Sequence, residues 1–217
     1  MSAEYFTDRS HILIAGVTGA RTRYGGKTSL ATWWYDIHSS AFDVAIFGNF
    51  KHDDAPERFA DVVAGDVNEV AGAMANGSTQ ICLSPIRSDW EEVSRRLRAF
   101  VDELPTDMDK LVVLDEAPEL DEEALEWFVR VAGNGSNCKS LILAQAPGDL
   151  PQSVRRQTIL AWVGPVDENS RHVFRANNRE NHFDAIREDH DPYHWSIMLG
   201  PEDGDRDHYK PVPERYA

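Results

Sequence analysis

Short unbroken apolar runs alternate along the chain with stretches in which apolar residues recur at helical spacing. The runs predict buried strands at His11 to Val17, Val44 to Phe47, Gln80 to Leu83, Leu111 to Leu114, Leu141 to Ala144 and Thr158 to Val163. A further strand is expected near Trp195 to Leu199. Continuous runs of this length suit strands covered on both faces, as in parallel sheets, because a half-exposed strand alternates apolar with polar. Between them, Ser88 followed by Glu91 makes a capping box, and Trp90, Val93, Leu97 and Phe100 or Val101 recur at helical spacing. A helix is also expected after Lys27, burying some of Leu30, Trp33, Trp34 and Ile37. Another runs from about Asp121 to Val131, its acidic first turn complementing the helix dipole. The pattern is α/β, with a mostly parallel central sheet and helices on both faces.

Composition narrows the class. A chain of 217 residues with 41% hydrophobic and 27% charged side chains is expected to fold as a single domain over 1–217, with a core large enough to need no disulfide or metal. Disorder and collagen-like repeats are excluded. The apolar runs are too short to cross a bilayer, and Met1 to Ser10 has acids but no apolar segment of a secretory leader. Cys82 and Cys138 belong to no ligand pattern and read as reduced interior thiols of an intracellular protein. The net charge of −15, with lysine scarce at 5 against 17 arginines, has two readings. One is a mildly acidic cytosolic protein; the other is a halophile's carboxylate surface, whose self-repulsion concentrated salt screens. Such a charge argues against indiscriminate nucleic-acid binding but leaves room for a local arginine-lined contact.

The chemistry gathers at strand ends. The first strand ends in Gly16, Val17, Thr18 and Gly19, and the chain then reaches Gly25, Gly26, Lys27, Thr28 and Ser29 at the mouth of a helix. These are the parts of a phosphate-binding (Walker A) loop. Glycines turn backbone N–H groups inward, the helix N-terminus adds positive potential, Lys27 reaches the β- and γ-phosphates, and Thr28 holds Mg2+. In the usual spacing the first glycine falls at Arg21, so the loop is about five residues too long if Gly16 is that glycine. Either Arg21 to Gly25 bulge outward, or Gly16 and Gly19 do not touch phosphate. Arg21 and Arg23 then lie over a nucleotide, contact a neighbouring subunit, or are solvated.

Downstream, Leu111 to Leu114 runs straight into Asp115 and Glu116. Two adjacent carboxylates at the end of a buried strand repel unless a cation sits there. The expected division of labour is Asp115 holding Mg2+ through its water shell and Glu116 polarising the attacking water, a Walker B arrangement. Leu141 to Ala144 ends in Gln145, an amide able to sense the γ-phosphate or orient the water.

The order of these segments carries a resemblance: a Gly-x-Thr-Gly loop and Lys-Thr, then Leu-Val-Val-Leu-Asp-Glu-Ala-Pro-Glu-Leu, then Ala-Gln-Ala-Pro-Gly-Asp-Leu-Pro-Gln-Ser-Val-Arg-Arg-Gln. It resembles the FtsK/HerA superfamily of DNA-pumping ATPases, especially the small packaging ATPases of internal-membrane-containing double-stranded DNA viruses. The clear motifs span residues 11–165, with a C-terminal strand and acidic tail in 166–217. The resemblance implies a RecA-like (ASCE) P-loop NTPase with ATP and Mg2+ as cofactors, Gly25 to Thr28 at the nucleotide, and Asp115, Glu116 and Gln145 as metal, water and sensor residues. It also implies that the sensor strand lies between the loop strand and the acid strand. The family's arginine finger falls about eleven residues before the sensor glutamine, at Asn134 here, so either a finger comes from elsewhere, with Arg130, Arg155 and Arg156 as candidates and the last two preferred, or its role is weaker.

Members that pump DNA work as rings, commonly hexamers. The expected partners are therefore double-stranded DNA, other copies of the chain, and capsid or membrane vertex proteins of a virion, with the protein in the host cytoplasm and at the virion vertex. Arg95, Arg96 and Arg98, and the series Arg171, Arg175 and Arg179, are candidate sequence-blind phosphate contacts. The histidines, including His182, His190, His194 and His208, read as solvated, and residues from about Glu202 onward as a tail. Alternatives are a cellular HerA-like or conjugation-type translocase and a low-turnover nucleotide switch. A small-molecule kinase needs an acceptor pocket and lid arginines, and the Asp115–Glu116 pair and Gln145 argue against it.

Overall fold

The computed structural model describes residues 11–16, 26–85, 89–130, 137–145, 147–164, 166, 168–189, 194–198 and 206–216. The first half runs β1 (His11–Gly16), α1 (Lys27–His38), β2 (Val44–Gly48), α2 (Asp54–Arg58), β3 (Val62–Ala64), α3 (Val67–Ala75), β4 (Gln80–Leu83), α4 (Trp90–Glu103) and β5 (Lys110–Leu114). It continues with α5 (Glu122–Arg130), β6 (Cys138–Ala144), α6 (Gln152–Gln157), β7 (Thr158–Val163), α7 (Arg171–Ala176), α8 (Phe183–Asp189), β8 (His194–Met198) and β9 (Arg206–Pro211). All nine strands form one sheet in the order β3-β4-β2-β5-β6-β1-β7-β8-β9. From β3 to β7 the pairing is parallel, while β7–β8 and β8–β9 are antiparallel.

The apolar runs are continuous because the sheet is buried on both sides. Successive residues of each strand point to opposite faces, so Ile12, Ile14, Leu111, Val113, Leu141 and Leu143 pack with Leu30, Trp34 and Tyr35 of α1. Leu13, Ala15, Val112, Leu114 and Ile142 share the other core with Leu97, Val101, Trp127, Phe128 and Phe174 from α4, α5 and α7. This is the expected α/β architecture, and β6 lies between β1 and β5 as the resemblance implied.

Several local expectations change. The N-cap of α4 is Asp89, which accepts from Glu92 N at 3.4 Å; Ser88 lies outside the described residues. On α1, Leu30 and Trp34 are buried but Ile37 is 37% exposed. The segment read as a tail carries β9 and a final turn in which Tyr216 is fully buried, its hydroxyl donating to Asp36 of α1 at 2.6 Å. His182 is fully buried rather than solvated, as are His11 and His38 nearly so. His190 lies outside the described residues. Cys82 and Cys138 are buried free thiols, and burial pushes both up to about 12, which leaves them unreactive.

Candidate active site

In a parallel sheet all strands deliver their C-terminal residues to one edge, so sequence-distant strand ends meet there. Here β1 ends at Gly16, β5 passes into Asp115 and Glu116, β6 into Gln145, and β2 into Asn49 and Lys51. Gly16 is required by its neighbour: its φ is +154°, and a Cβ would sit 2.1 Å from the Val163 carbonyl oxygen on β7. The chain leaves the sheet here and re-enters described structure at Gly26, the N-cap of α1. Gly25 lies outside the described residues, as do Gly19, Arg21 and Arg23.

The first turn of α1 leaves the N–H groups of Lys27, Thr28 and Ser29 without intrahelical acceptors, and the N-cap Gly26 offers no side chain to cap them. Among the described residues, a Cβ at Gly26 would meet nothing within 4 Å, so none of them blocks the approach to these donors, as phosphate binding requires. Lys27 is 5% exposed, and its ammonium reaches back to the Gly16 carbonyl at 3.4 Å. Burial, reinforced by the nearby Lys51 charge, brings it down to about 8.

The Thr28 hydroxyl donates to Asp115 Oδ2 at 3.2 Å, across 87 residues of sequence. Neighbouring oxygens in an octahedral Mg2+ shell lie about 3 Å apart, since each is about 2.1 Å from the ion. These two oxygens therefore fit side by side around one such ion. Asp115 is 1% exposed, and burial pushes its carboxyl up to about 6, against the pull of Lys51 and the Thr28 hydroxyl. A buried acid whose charge is this costly invites a cation.

Glu116 adopts the left-handed region, φ 52° and ψ 40°, a conformation that costs a residue other than glycine about 1–3 kcal/mol and clusters at functional sites. Its N–H donates to Asp115 Oδ1 at 2.8 Å. Gln145 Nε2 donates to Glu116 Oε1 at 3.2 Å from one side, and the Lys51 ammonium pairs with the same oxygen from the other. β5 is flanked by β6 and β2, so the amide and the ammonium close on the carboxylate from its two neighbouring strands. The sequence reading missed Lys51. The available signal was a cation in a lysine-poor chain, three residues past the end of an apolar strand.

Lys27, Thr28, Asp115, Glu116 and Gln145 thus share one edge, with Ser29 buried on the first turn of α1. Arg155 and Arg156 do not join them. They precede Thr158, which pairs with His11 at the start of β1, whereas Val163 pairs with Gly16; five residues of strand at about 3.3 Å each put them about 16 Å from the glycine. Arg130, at the end of α5, pairs with Glu126 at 3.5 Å. Among the candidate DNA contacts, Arg95 pairs with Glu92 and Asp121, Arg98 lies over Trp127, and Arg171 pairs with Glu168 and Asp184.

A scan against protein-family models and a search of curated proteins both find no match. Solved structures do match. The genome packaging NTPase B204 from Sulfolobus turreted icosahedral virus 2, in complex with ATP-gammaS, superposes with a TM-score of 0.68 at 10% identity, covering 95% of this chain and 100% of that one. The same protein in complex with AMPPCP gives 0.65 at 11% identity, covering 94% and 100%. The DNA-packaging ATPase B204 from Sulfolobus Turreted Icosahedral Virus gives 0.61 at 12% identity, covering 94% and 98%. The chain has the fold of these proteins, the RecA-like α/β fold of P-loop NTPases.

Proposed function

We propose that this chain is an ATP-hydrolysing DNA translocase that packages a double-stranded viral genome into a preformed capsid. The observation that carries the reading is the convergence of Thr28 on Asp115 and of Gln145 on Glu116 at one sheet edge, beside the open first turn of α1, in a fold shared with packaging NTPases. In this reading the α1 donors and Lys27 bind the phosphates. Thr28 and Asp115 would hold Mg2+, which would supply positive charge to stabilise the phosphates during cleavage. Glu116, held by Gln145 and Lys51, accepts a proton from the attacking water. Gln145 touches that base and in this reading also senses the γ-phosphate, coupling cleavage to strand movement. An arginine from the opposite edge of a neighbouring subunit, drawn from Arg130, Arg155 and Arg156, completes the charge around the phosphates. The assembly is a ring, a hexamer in this proposal, acting on duplex DNA in the host cytoplasm and at a virion vertex. The acidic surface fits a halophilic host.

The Lys51–Glu116 pair favours a second reading, a low-turnover nucleotide switch, because the ammonium occupies a carboxylate oxygen that a proton from water would need. Glu116→Gln separates the two. A motor loses about 10²- to 10⁴-fold in hydrolysis, the usual contribution of a general base, while still binding labelled nucleotide; a slow switch changes little. Hydrolysis stimulated by duplex DNA, measured on protein whose mass in the same buffer is that of a ring, supports the translocase. A monomer indifferent to DNA removes it.

A further inference from the structure

At the other edge of the sheet, the last turns of α6 and α7 and the segment after α7 wall a cleft of about 600 Å3. Arg155, Arg156, Arg175 and Arg179 line it with Asn177 and Asn178, and among the described residues none that lines it is acidic. The chain as a whole carries a net charge of −15, so four guanidiniums around one concavity run against its general character. Glu180, outside the lining, offsets Arg175; a bound polyanion lowers the repulsion that remains.

Three of the four are held in place. Arg155 Nε donates to the Leu150 carbonyl at 3.1 Å. Arg179 donates to the carbonyls of Asn178 at 3.0 Å and Met198 at 3.3 Å. Arg175 forms a two-pronged contact with the Glu180 carboxylate at 3.0 and 2.8 Å. The Arg155 and Arg175 guanidiniums each have more donors than these tethers use, so ordered N–H groups face the recess. Arg156 is exposed and makes no hydrogen bond or ion pair among the described residues.

A finger acting in trans has to project from its subunit; Arg155 and Arg179 are instead tied to their own backbone in the wall of a recess. The recess is larger than one phosphate needs and offers forked donors suited to phosphate oxygens. We infer that it seats the phosphodiester backbone of duplex DNA, with Arg155, Arg156, Arg175 and Arg179 as sequence-blind contacts. This rests on the packaging reading and deepens it: DNA and nucleotide lie at opposite edges of the sheet, linked by the strand pair β1 and β7.

The test uses the full chain and a fluorescein-labelled duplex, with binding followed by anisotropy across a series of KCl concentrations. The double variant Arg156→Ala/Arg175→Ala removes one unpartnered side chain and one exposed ion pair, and a thermal melt matching the wild type shows that the fold is kept. Its affinity is expected to fall for every duplex sequence. The slope of log affinity against log salt shrinks by about 1.8, at about 0.9 per lost phosphate contact. Wild-type affinity and slope in the variant overturn the inference, and so does weaker binding with an unchanged slope. If duplex binding is unchanged but hydrolysis falls in mixed assemblies of variant and wild type, the phosphates belong to a neighbour's nucleotide and the DNA seat is overturned. Failure of the wild type to bind any duplex instead removes the packaging reading itself.

Discussion

Replacing Asp115 by Asn should stabilise the ligand-free fold while disabling it. Asp115 is 1% exposed and burial lifts its carboxyl from the ordinary 3.8 to about 6. At about 1.4 kcal/mol per pH unit, the ionised form costs the folded state about 3 kcal/mol. Asn keeps the shape and can still accept from Thr28, and the value of about 6 already includes the pull of Lys27 and Lys51, so the net gain is about 3 kcal/mol. For a chain of this size that is roughly 6–12 °C in melting temperature. The sign follows from proton binding. Between 3.8 and about 6 the folded state holds more protons than the unfolded one, so this group's contribution to stability is complete at the low end, is lost as pH rises through that window, and is constant above it. The assay is thermal unfolding by circular dichroism in EDTA across this range. The two proteins should melt together near pH 4, diverge up to about pH 6, and stay apart above it. Adding Mg2+ and a non-hydrolysable ATP analogue should raise the wild type but not the variant. A variant that melts below the wild type at neutral pH, or a difference that is flat across pH, refutes the reasoning.

Lys27→Ala is expected to abolish ATP turnover, and unchanged phosphate release in that variant removes the loop assignment. It also relieves a buried ammonium brought down to about 8, so its thermal melt should not fall below the wild type. Lys51→Met frees Glu116 from its ion pair; misplacing a reacting group by about 1 Å costs on the order of 10²-fold. Turnover should drop about 10- to 100-fold with nucleotide affinity little changed. A parallel loss of affinity instead marks Lys51 as a phosphate ligand, and faster turnover favours the switch reading. Gly16→Ala places a Cβ 2.1 Å from the Val163 carbonyl, which a rigid neighbouring strand cannot relieve. The expected loss is about 3 kcal/mol or more in urea unfolding, and a midpoint equal to the wild type removes the close-approach argument.

Most of the parallel sheet was legible because burial on both faces writes strands as uninterrupted apolar runs, and two predicted strands, Gln80–Leu83 and Thr158–Val163, coincide with β4 and β7. The edge strands β3 and β9 were not, since three residues with one exposed valine and a charged, proline-bearing segment carry no such run. The buried final turn was missed for a related reason. Tyr216 is held by Asp36, Trp33 and Phe59, long-range partners that composition near the terminus does not announce.

The candidate site divides in the same way. Residue types at strand ends announced Lys27, Thr28, Asp115, Glu116 and Gln145, because phosphate, metal and water chemistry restricts which side chains can serve and a parallel sheet delivers them to one edge. Which of them touch, and what else joins them, depended on strand order. Only the placement of β2 and β6 on either side of β5 brings Lys51 and Gln145 onto one oxygen of Glu116, and only the depth of the edge raises Asp115 and lowers Lys27. Local sequence carries side-chain chemistry and periodicity; neighbours across the sheet, and the dielectric they create, arise from the packing of segments far apart in the chain.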